Sequence, residues 1–127
     1  MLDTNIVSAI MRDPTGSAAG RIADLAEPVS VSVVVAAELR YGAAKKGSDR
    51  LTATVERLLD GIEIEPLSSP VDRAYGHLRE ALERDGQTMD ANDLLIAAHA
   101  LSLGRILATA DHAFTRVKGL AVENWLT

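Results

Sequence analysis

Short runs of β-branched and apolar residues alternate with longer amphipathic segments along this chain, and that alternation limits its possible folds more than any other feature. Residues 29–33 and 62–65 have the composition and patterning of strands. Longer segments between such runs, for example residues 71–84, repeat apolar side chains at helical spacing. Strands separated by helices are joined by right-handed crossovers and form a parallel sheet. The sequence therefore predicts an α/β fold.

We expect a central parallel sheet of about five short strands with helices on both faces, in one domain that spans residues 1–127. The predicted strands are residues 1–3, 29–33, 62–65, 105–108 and 120–123. Helices are predicted after the turn at 3–5 and at about 15–26, 34–46, 49–59, 71–84 and 90–103, with a turn or short helical piece at 111–114. The helix ending at Leu103 is apolar on nearly every side, as expected of a helix buried against the sheet.

Composition restricts the compartment and the partners. The chain has no cysteine, which excludes disulfides and thiolate zinc sites and favours the cytoplasm. Its apolar runs are too short to span a bilayer, so no membrane is expected. The net charge of -5 argues against nucleic acid as a partner. That objection weakens if acidic side chains bind divalent cations, because the local sign of charge then reverses where a phosphate would lie.

Four carboxylates lie where a predicted strand passes into a helix or where a helix begins: Asp3, Glu38, Asp93 and Asp111. Ligands of parallel α/β sheets bind outside the carboxyl ends of the strands, so acids at those ends converge even when they are far apart in sequence. Two carboxylates at about 4 Å repel each other by roughly 4 kcal/mol, and such a cluster requires a cation. Oxygen ligands favour Mg²⁺ or Mn²⁺. The chemistry that follows is metal-assisted phosphodiester hydrolysis.

Each acid also has a purely structural interpretation. Asp3 could only cap the first helix, and Asp111 could only form an Asx-turn. Asp90 lies three residues before Asp93, so we assign the site role to Asp93 and a capping or supporting role to Asp90. Glu38 is harder to explain structurally, because an inward carboxylate is unfavourable unless it is paired or metal-bound. Its predicted inward arc on the helix consists of Val34, Val35, Ala37, Tyr41 and Gly42.

The three histidines are not expected to be principal ligands. His99 is turned away from Asp93 around its helix and is expected to pack or hydrogen-bond locally. His77 belongs to the face of an amphipathic helix, and His112 either assists Asp111 or is exposed. The chain has no Gly-rich phosphate loop and no nucleophile elbow, which excludes nucleoside-triphosphate and acyl-transfer chemistry.

Five segments, taken in order, resemble the PIN-domain ribonucleases and specifically the VapC toxins of bacterial toxin–antitoxin pairs. They are Met-Leu-Asp-Thr-Asn at 1–5, Ala-Glu-Leu-Arg-Tyr-Gly at 37–42, Asn-Asp-Leu-Leu-Ile-Ala-Ala-His-Ala at 92–100, Leu-Ala-Thr-Ala-Asp-His-Ala-Phe at 107–114 and Val-Glu-Asn-Trp-Leu at 122–126. Any one segment is a weak signal. The five in order cover almost the whole chain and are highly specific.

The resemblance implies a PIN-like fold and Mg²⁺- or Mn²⁺-dependent endonucleolytic cleavage of RNA. It also implies a homodimer, and inhibition by a VapB-like antitoxin in a larger hetero-oligomer. The implied metal-binding acids are Asp3, Glu38 and Asp93, with Asp111 as the fourth. The positions that match supporting residues of such enzymes are Thr4, Asn5 and Thr109.

An RNA substrate beside an acidic pocket requires cations at the rim for steering. The candidates are Arg12, Arg40, Lys45, Lys46 and Arg116. One alternative is a catalytically silent PIN-like module that binds RNA or protein, and the presence of all four acids argues against it. A phosphoacceptor receiver domain is a second alternative. It requires an acceptor aspartate after the third strand, where this chain has Ile-Glu-Ile-Glu-Pro at 62–66.

Overall fold

The computed structural model describes residues 1–126. This part of the chain contains six α-helices, one 3-10 helix and four short strands. The helices are α1 (Thr4–Arg12), α2 (Ser17–Asp24), α3 (Val33–Lys46), α4 (Asp49–Asp60), α5 (Val71–Arg84) and α6 (Ala91–Leu103). The strands are β1 (Ser30–Ser32), β2 (Glu63–Glu65), β3 (Leu107–Ala108) and β4 (Val122–Glu123). The 3-10 helix spans His112–Arg116, between β3 and β4.

The strands form two parallel pairs, β1 with β2 and β3 with β4. Residues 1–3 lie between the pairs: Leu2 forms an isolated parallel bridge with Ala108, and its N–H donates to the carbonyl of Ser30. The α/β class and the parallel pairing are as predicted. A single sheet of five strands is not confirmed, because residues 1–3 contribute only a bridge and the strands are assigned to two sheets.

The strands β1 and β3 are shorter than predicted, because residues at their ends belong to the caps or first turns of neighbouring helices. The hydroxyl of Ser32 accepts a hydrogen bond from the N–H of Val34, so α3 begins directly after β1. At the end of α6, Gly104 adopts a left-handed conformation with φ 65°, and the N–H of Arg105 donates to the carbonyl of Ala100. Arg105 therefore belongs to a helix cap instead of the predicted strand 105–108.

Helix α6 occupies the centre of the fold. Its residues Leu94, Ile96, Ala97, Ala98, His99 and Ala100 are all buried, as its nearly all-round apolar sequence predicts. It packs against α5, α3 and β1. No helix within residues 1–126 combines the length and the apolar character needed to cross a bilayer.

Candidate active site

Asp3 lies where the bridge at Leu2 passes into α1, and its residue is only 4% exposed. The backbone N–H of Asp3 donates to the carbonyl of Ala108 at 2.9 Å, which fixes it beside the end of β3. Its Oδ1 accepts from the N–H of Thr4 at 2.8 Å and caps α1. The capping interpretation is thus correct for one carboxylate oxygen, and the other oxygen has different partners.

The second carboxylate oxygen of Asp3 is held by side chains from two distant parts of the chain. Its Oδ2 accepts from the hydroxyl of Thr109 at 2.7 Å and from Nδ2 of Asn5 at 3.2 Å. Asn5 in turn accepts at Oδ1 from the N–H of Ala110 at 3.1 Å. These bonds fix the Asp3 carboxylate between α1 and the segment that follows β3. Of the four predicted supporting residues, Thr4, Asn5 and Thr109 therefore donate hydrogen bonds to this acid.

Burial raises the pKa of Asp3 above its ordinary value, and the charge of Asp111 raises it further. The hydrogen bonds from Thr109, Thr4 and Asn5 favour the ionised form and oppose that rise. The carboxylate is therefore desolvated but well supported by donors.

Glu38 is joined to this network through Thr4, whose hydroxyl donates to Oε1 of Glu38 at 2.7 Å. The predicted inward arc around Glu38 is wrong in part, because Ala37 and Gly42 are exposed and Tyr41 is 65% exposed. The buried face of α3 consists of Val34, Val35, Ala36, Leu39 and Ala43. Glu38 lies half-buried at the border of that face, and its bond to Thr4 ties it to Asp3.

Asp93 lies in the first turn of α6, three residues after the N-cap residue Asp90. The side chain of Asp90 forms no capping hydrogen bond; its backbone carbonyl accepts from the N–H of Leu94. Side-chain capping by Asp90 is thus not observed, although Asp90 occupies the cap position.

Partial burial and four neighbouring carboxylates raise the pKa of Asp93 to about 6. Burial contributes most, followed by the negative charges of Asp3, Asp111, Asp90 and Glu38. Within residues 1–126, none of the groups that act on this pKa is a cation. The five acids therefore share one electrostatic environment that carries excess negative charge.

Asp111 is exposed and caps the 3-10 helix, since its Oδ1 accepts from the N–H of Ala113 at 2.9 Å. Its own N–H donates to the hydroxyl of Thr109 at 3.1 Å. Asp111 therefore forms the Asx-turn that its purely structural interpretation predicts. Its charge nevertheless acts on both Asp3 and Asp93, which places it at the same site.

The donor set fits a hard divalent cation in its chemistry: oxygen atoms only, negative charge in excess, and one acid that is nearly fully buried. As the side chains stand, however, no three His, Asp or Glu residues within 1–126 are arranged to hold a metal ion. Asp3, Glu38 and Asp111 each accept hydrogen bonds from protein donors. An ion would have to compete with or add to those bonds.

Within residues 1–126, no histidine ring hydrogen-bonds to any of the four acids. His99 is buried, and its Nδ1 lies 2.8 Å from the hydroxyl of Ser32 on β1, in agreement with the predicted packing role. Burial lowers the pKa of His99 below its ordinary value, so the ring is favoured in its neutral form. His77 and His112 are exposed.

Replacing Thr109 by valine is expected to lower the free energy of unfolding by about 1–3 kcal/mol, the usual cost of leaving a buried polar group without its partner. Valine keeps the shape but removes the hydroxyl that donates to Asp3 and accepts from the N–H of Asp111. The loss should be larger at pH 8 than at pH 4, because ionised Asp3 needs the donor more than protonated Asp3 does.

Chemical denaturation of the wild type and of Thr109→Val at both pH values measures this effect. Thr115→Val is the matched control, because its hydroxyl donates to a backbone carbonyl at an exposed position. Equal stability of the two variants at pH 8 would show that the Thr109 bond to Asp3 contributes nothing.

Comparison with known proteins gives one consistent result. The PIN domain family matches residues 1–120. Ribonuclease VapC2 of Rickettsia felis is 38% identical over 130 residues, which cover 98% of this chain and 96% of that protein. The tRNA(fMet)-specific endonuclease VapC of Shigella flexneri is 32% identical, with 98% of this chain and 96% of that protein covered.

Solved structures agree with the sequence relatives. VapBC2 from Rickettsia felis, bound to a DNA fragment from its promoter, superposes with a TM-score of 0.93 at 34% identity over 98% of this chain and 97% of that chain. VapBC-1 from nontypeable Haemophilus influenzae superposes with a TM-score of 0.89 at 30% identity, over 100% of this chain and 98% of that chain. Both similarities extend across the elements that carry the acids. The chain belongs to the PIN-domain family and, within that family, to the VapC ribonucleases.

Proposed function

We propose that this chain is the toxin of a toxin–antitoxin pair and an endoribonuclease that hydrolyses RNA phosphodiester bonds with one or two Mg²⁺ or Mn²⁺ ions. Membership of the VapC ribonucleases supports the nuclease activity. The observation that supports the metal is the environment of Asp93, where four carboxylates raise the pKa of one acid and, among residues 1–126, no cation opposes them. A divalent ion would remove that excess charge.

Asp3, Glu38, Asp93 and Asp111 are the residues that would hold the ion or ions. When bound, a divalent ion lowers the pKa of water and offsets the charge that builds up on the phosphate. Asp3 supplies a ligand of fixed orientation, because Thr109 and Asn5 hold its Oδ2. Glu38 is oriented by Thr4. Pre-positioned ligands of this kind lose little freedom when substrate binds.

Asp3, Glu38 and Asp111 accept hydrogen bonds through their side chains, whereas within residues 1–126 no donor contacts the side chain of Asp93. Its raised pKa means that a proton is held more readily here than on an ordinary aspartate, and a cation would compete with that proton. Ion binding at the site is therefore expected to weaken as the pH falls towards 6. Asp90 adds negative charge nearby without a capping bond, which suits a supporting role.

The proposed partners follow from the solved relatives, which include VapBC2 from Rickettsia felis and a member of the VapBC family of toxin–antitoxin systems from Mycobacterium tuberculosis. We propose a VapB-like antitoxin as the partner of this chain and a homodimer as its unit, in the cytoplasm. Tyr41, Leu67 and Ile106 are exposed apolar side chains and are therefore available for contacts with a partner.

Chelation is expected to abolish RNA cleavage, and added Mn²⁺ or Mg²⁺ is expected to restore it, because the acids alone repel the phosphate. Purified toxin freed from antitoxin is incubated with total RNA and with initiator transfer RNA, the latter because two relatives are named as tRNA(fMet)-specific endonucleases. Mapping of the new 5′ ends then identifies the substrate. Cleavage that continues at full rate in EDTA would exclude the metal mechanism.

A readout without RNA tests the ion directly. Mn²⁺ is expected to raise the Tm of the metal-free protein, because a ligand that binds only the folded state stabilises it. The rise should be absent in Asp93→Asn and present in Asp85→Asn, which changes an exposed acid at the end of α5. Equal shifts in both variants would place the ion elsewhere.

A catalytically silent module that binds RNA or protein is the second candidate function. It is favoured by one observation, that no three acids within residues 1–126 are arranged to hold an ion as they stand. Such a module would bind RNA without chelator-sensitive cleavage, and the EDTA experiment separates the two functions.

A further inference from the structure

A groove of about 540 Å³ lies between α1, α3 and α4, and Thr4 and Glu38 form part of its wall. Those two residues are also joined by the 2.7 Å hydrogen bond that links Glu38 to the Asp3 network. Whatever occupies the groove therefore lies next to the candidate active site. Its volume falls in the range of pockets that hold molecules of nucleotide size.

The charge of the groove is opposite to that of the chain. Arg12, Lys46 and Arg50 line it, against a single carboxylate, Glu38, whereas the whole chain has a net charge of -5. Within residues 1–126, these three cations take part in no ion pair. Lys46 and Arg50 lie close together at the turn between α3 and α4, and the packing of α1 brings Arg12 to the same groove.

The other predicted rim cations are used differently. Arg40 is paired with Glu56 through two hydrogen bonds at 2.9 and 3.0 Å, and Arg116 donates to the carbonyl of Thr88. Lys45 lies 5.9 Å from the centre of the Tyr41 ring, outside the groove. The structure thus selects Arg12 and Lys46 from the predicted set and adds Arg50, which sequence analysis missed.

The rest of the groove wall suits the sugar and base of a nucleotide. Apolar side chains of Met11, Leu39 and Leu51 line it together with hydroxyl-bearing residues such as Ser8. Among the described residues that line the groove, none has an aromatic side chain for base stacking. Recognition there would depend on the backbone phosphates and be largely independent of sequence.

We propose that this groove binds the RNA strand on one side of the scissile phosphate, with Arg12, Lys46 and Arg50 contacting backbone phosphates. The inference rests on the proposed endoribonuclease function and names the residues that position its substrate. RNA is favoured over a protein segment because the cations are unpaired, phosphates are the strongest partners for such groups, and an acidic chain needs a local positive surface to hold a polyanion.

The test compares two triple variants with equal loss of charge. Arg12→Gln/Lys46→Gln/Arg50→Gln removes the groove cations, and Lys45→Gln/Arg57→Gln/Arg73→Gln removes three exposed cations outside the groove. Both are made in the full chain on an Asp93→Asn background, so that binding is measured without cleavage. The probe is a labelled single-stranded RNA oligonucleotide, titrated at several salt concentrations, and circular dichroism checks that each variant is folded.

The groove variant is expected to bind RNA at least about 10-fold more weakly than the control variant, with a salt slope smaller by about 2, because each phosphate contact on a single strand contributes about 0.7 to that slope. Arg12→Lys/Arg50→Lys should keep most of the affinity and the slope, which distinguishes charge from loss of structure. Equal affinities and slopes in the two triple variants would overturn the proposal.

Antitoxin binding is measured in parallel by titration with the purified cognate antitoxin. Loss of antitoxin binding with unchanged RNA binding would assign the groove to a protein partner and overturn the proposal; loss of RNA binding supports it whatever the antitoxin does. Because RNA binding is measured apart from cleavage, a wild-type chain that fails to cut RNA would refute the proposed function without deciding the result for the groove.

Discussion

Asp3→Asn is expected to abolish RNA cleavage, with a loss of at least about 100-fold, while the fold is retained. Replacing a residue that only supports a metal ligand already costs about 10–100-fold, and loss of a principal ligand should cost more. Asparagine keeps the size of the side chain and one oxygen that can accept the bond from Thr109. It removes the negative charge that an ion requires. Initial rates of cleavage with Mn²⁺, together with the Tm of each protein, measure both effects.

Asp85→Asn is the control for Asp3→Asn, since it removes a carboxylate from an exposed site at the end of α5. It should cleave RNA at the wild-type rate. In cells, induction of Asp3→Asn should no longer arrest growth, whereas Asp85→Asn should remain toxic. Wild-type cleavage by a folded Asp3→Asn protein would remove Asp3 from the site and with it the central part of the proposal.

Asp93→Asn is expected to abolish cleavage to a similar extent and, in addition, to stabilise the metal-free protein at pH 7. The pKa of this carboxyl is raised from 3.8 to about 6, so the folded state holds the proton more tightly than the unfolded state does. Stability then falls as the pH rises from about 4 to about 6, where the folded protein must release that proton. The variant has no proton to release and should lack this part of the pH dependence.

The expected stabilisation by Asp93→Asn is calculated from the pKa shift of Asp93 and then reduced because this side chain is partly exposed to solvent. A displacement from 3.8 to about 6 corresponds to at most about 3 kcal/mol. Screening at this half-exposed position reduces it to about 1 kcal/mol, or roughly 4 °C in Tm. Melting curves in EDTA at pH 4 and pH 7 test this, because the difference between variant and wild type should be small at pH 4 and present at pH 7. Saturating Mn²⁺ should stabilise only the wild type. A variant less stable than the wild type at pH 7 would contradict the repulsion at Asp93.

The local elements of the fold follow closely from the sequence. Helix α5 spans the predicted residues 71–84, and α6 is buried as its apolar composition requires. The cap of α3 at Ser32 is a local feature of the same kind, since it joins residues two positions apart. These features depend on neighbours within a few positions, so periodicity and capping residues are enough to predict them.

The rotation of α3 and the strand content were predicted less well. Periodicity identifies α3 as a helix, but several arcs of it are similarly apolar, and Tyr41 proved to be on the exposed one. Residues 1–3 form a bridge instead of a strand, because their bonding groups are divided between β1 and β3. Which face is buried and which strand pairs where depend on partners from other parts of the chain.

The sequence alone determined the α/β class and the family, and it predicts which acids form the site, because acids at strand ends and at helix starts can be recognised from local pattern. Only the tertiary structure decided which groups hold them: Thr109 donates to Asp3 across 106 positions, and Thr4 donates to Glu38 across 34. The same is true of the raised pKa of Asp93 and of the groove that contains Arg50. Hydrogen bonds and Coulomb energies depend on distance in space, and distance between remote residues is fixed only when the helices pack.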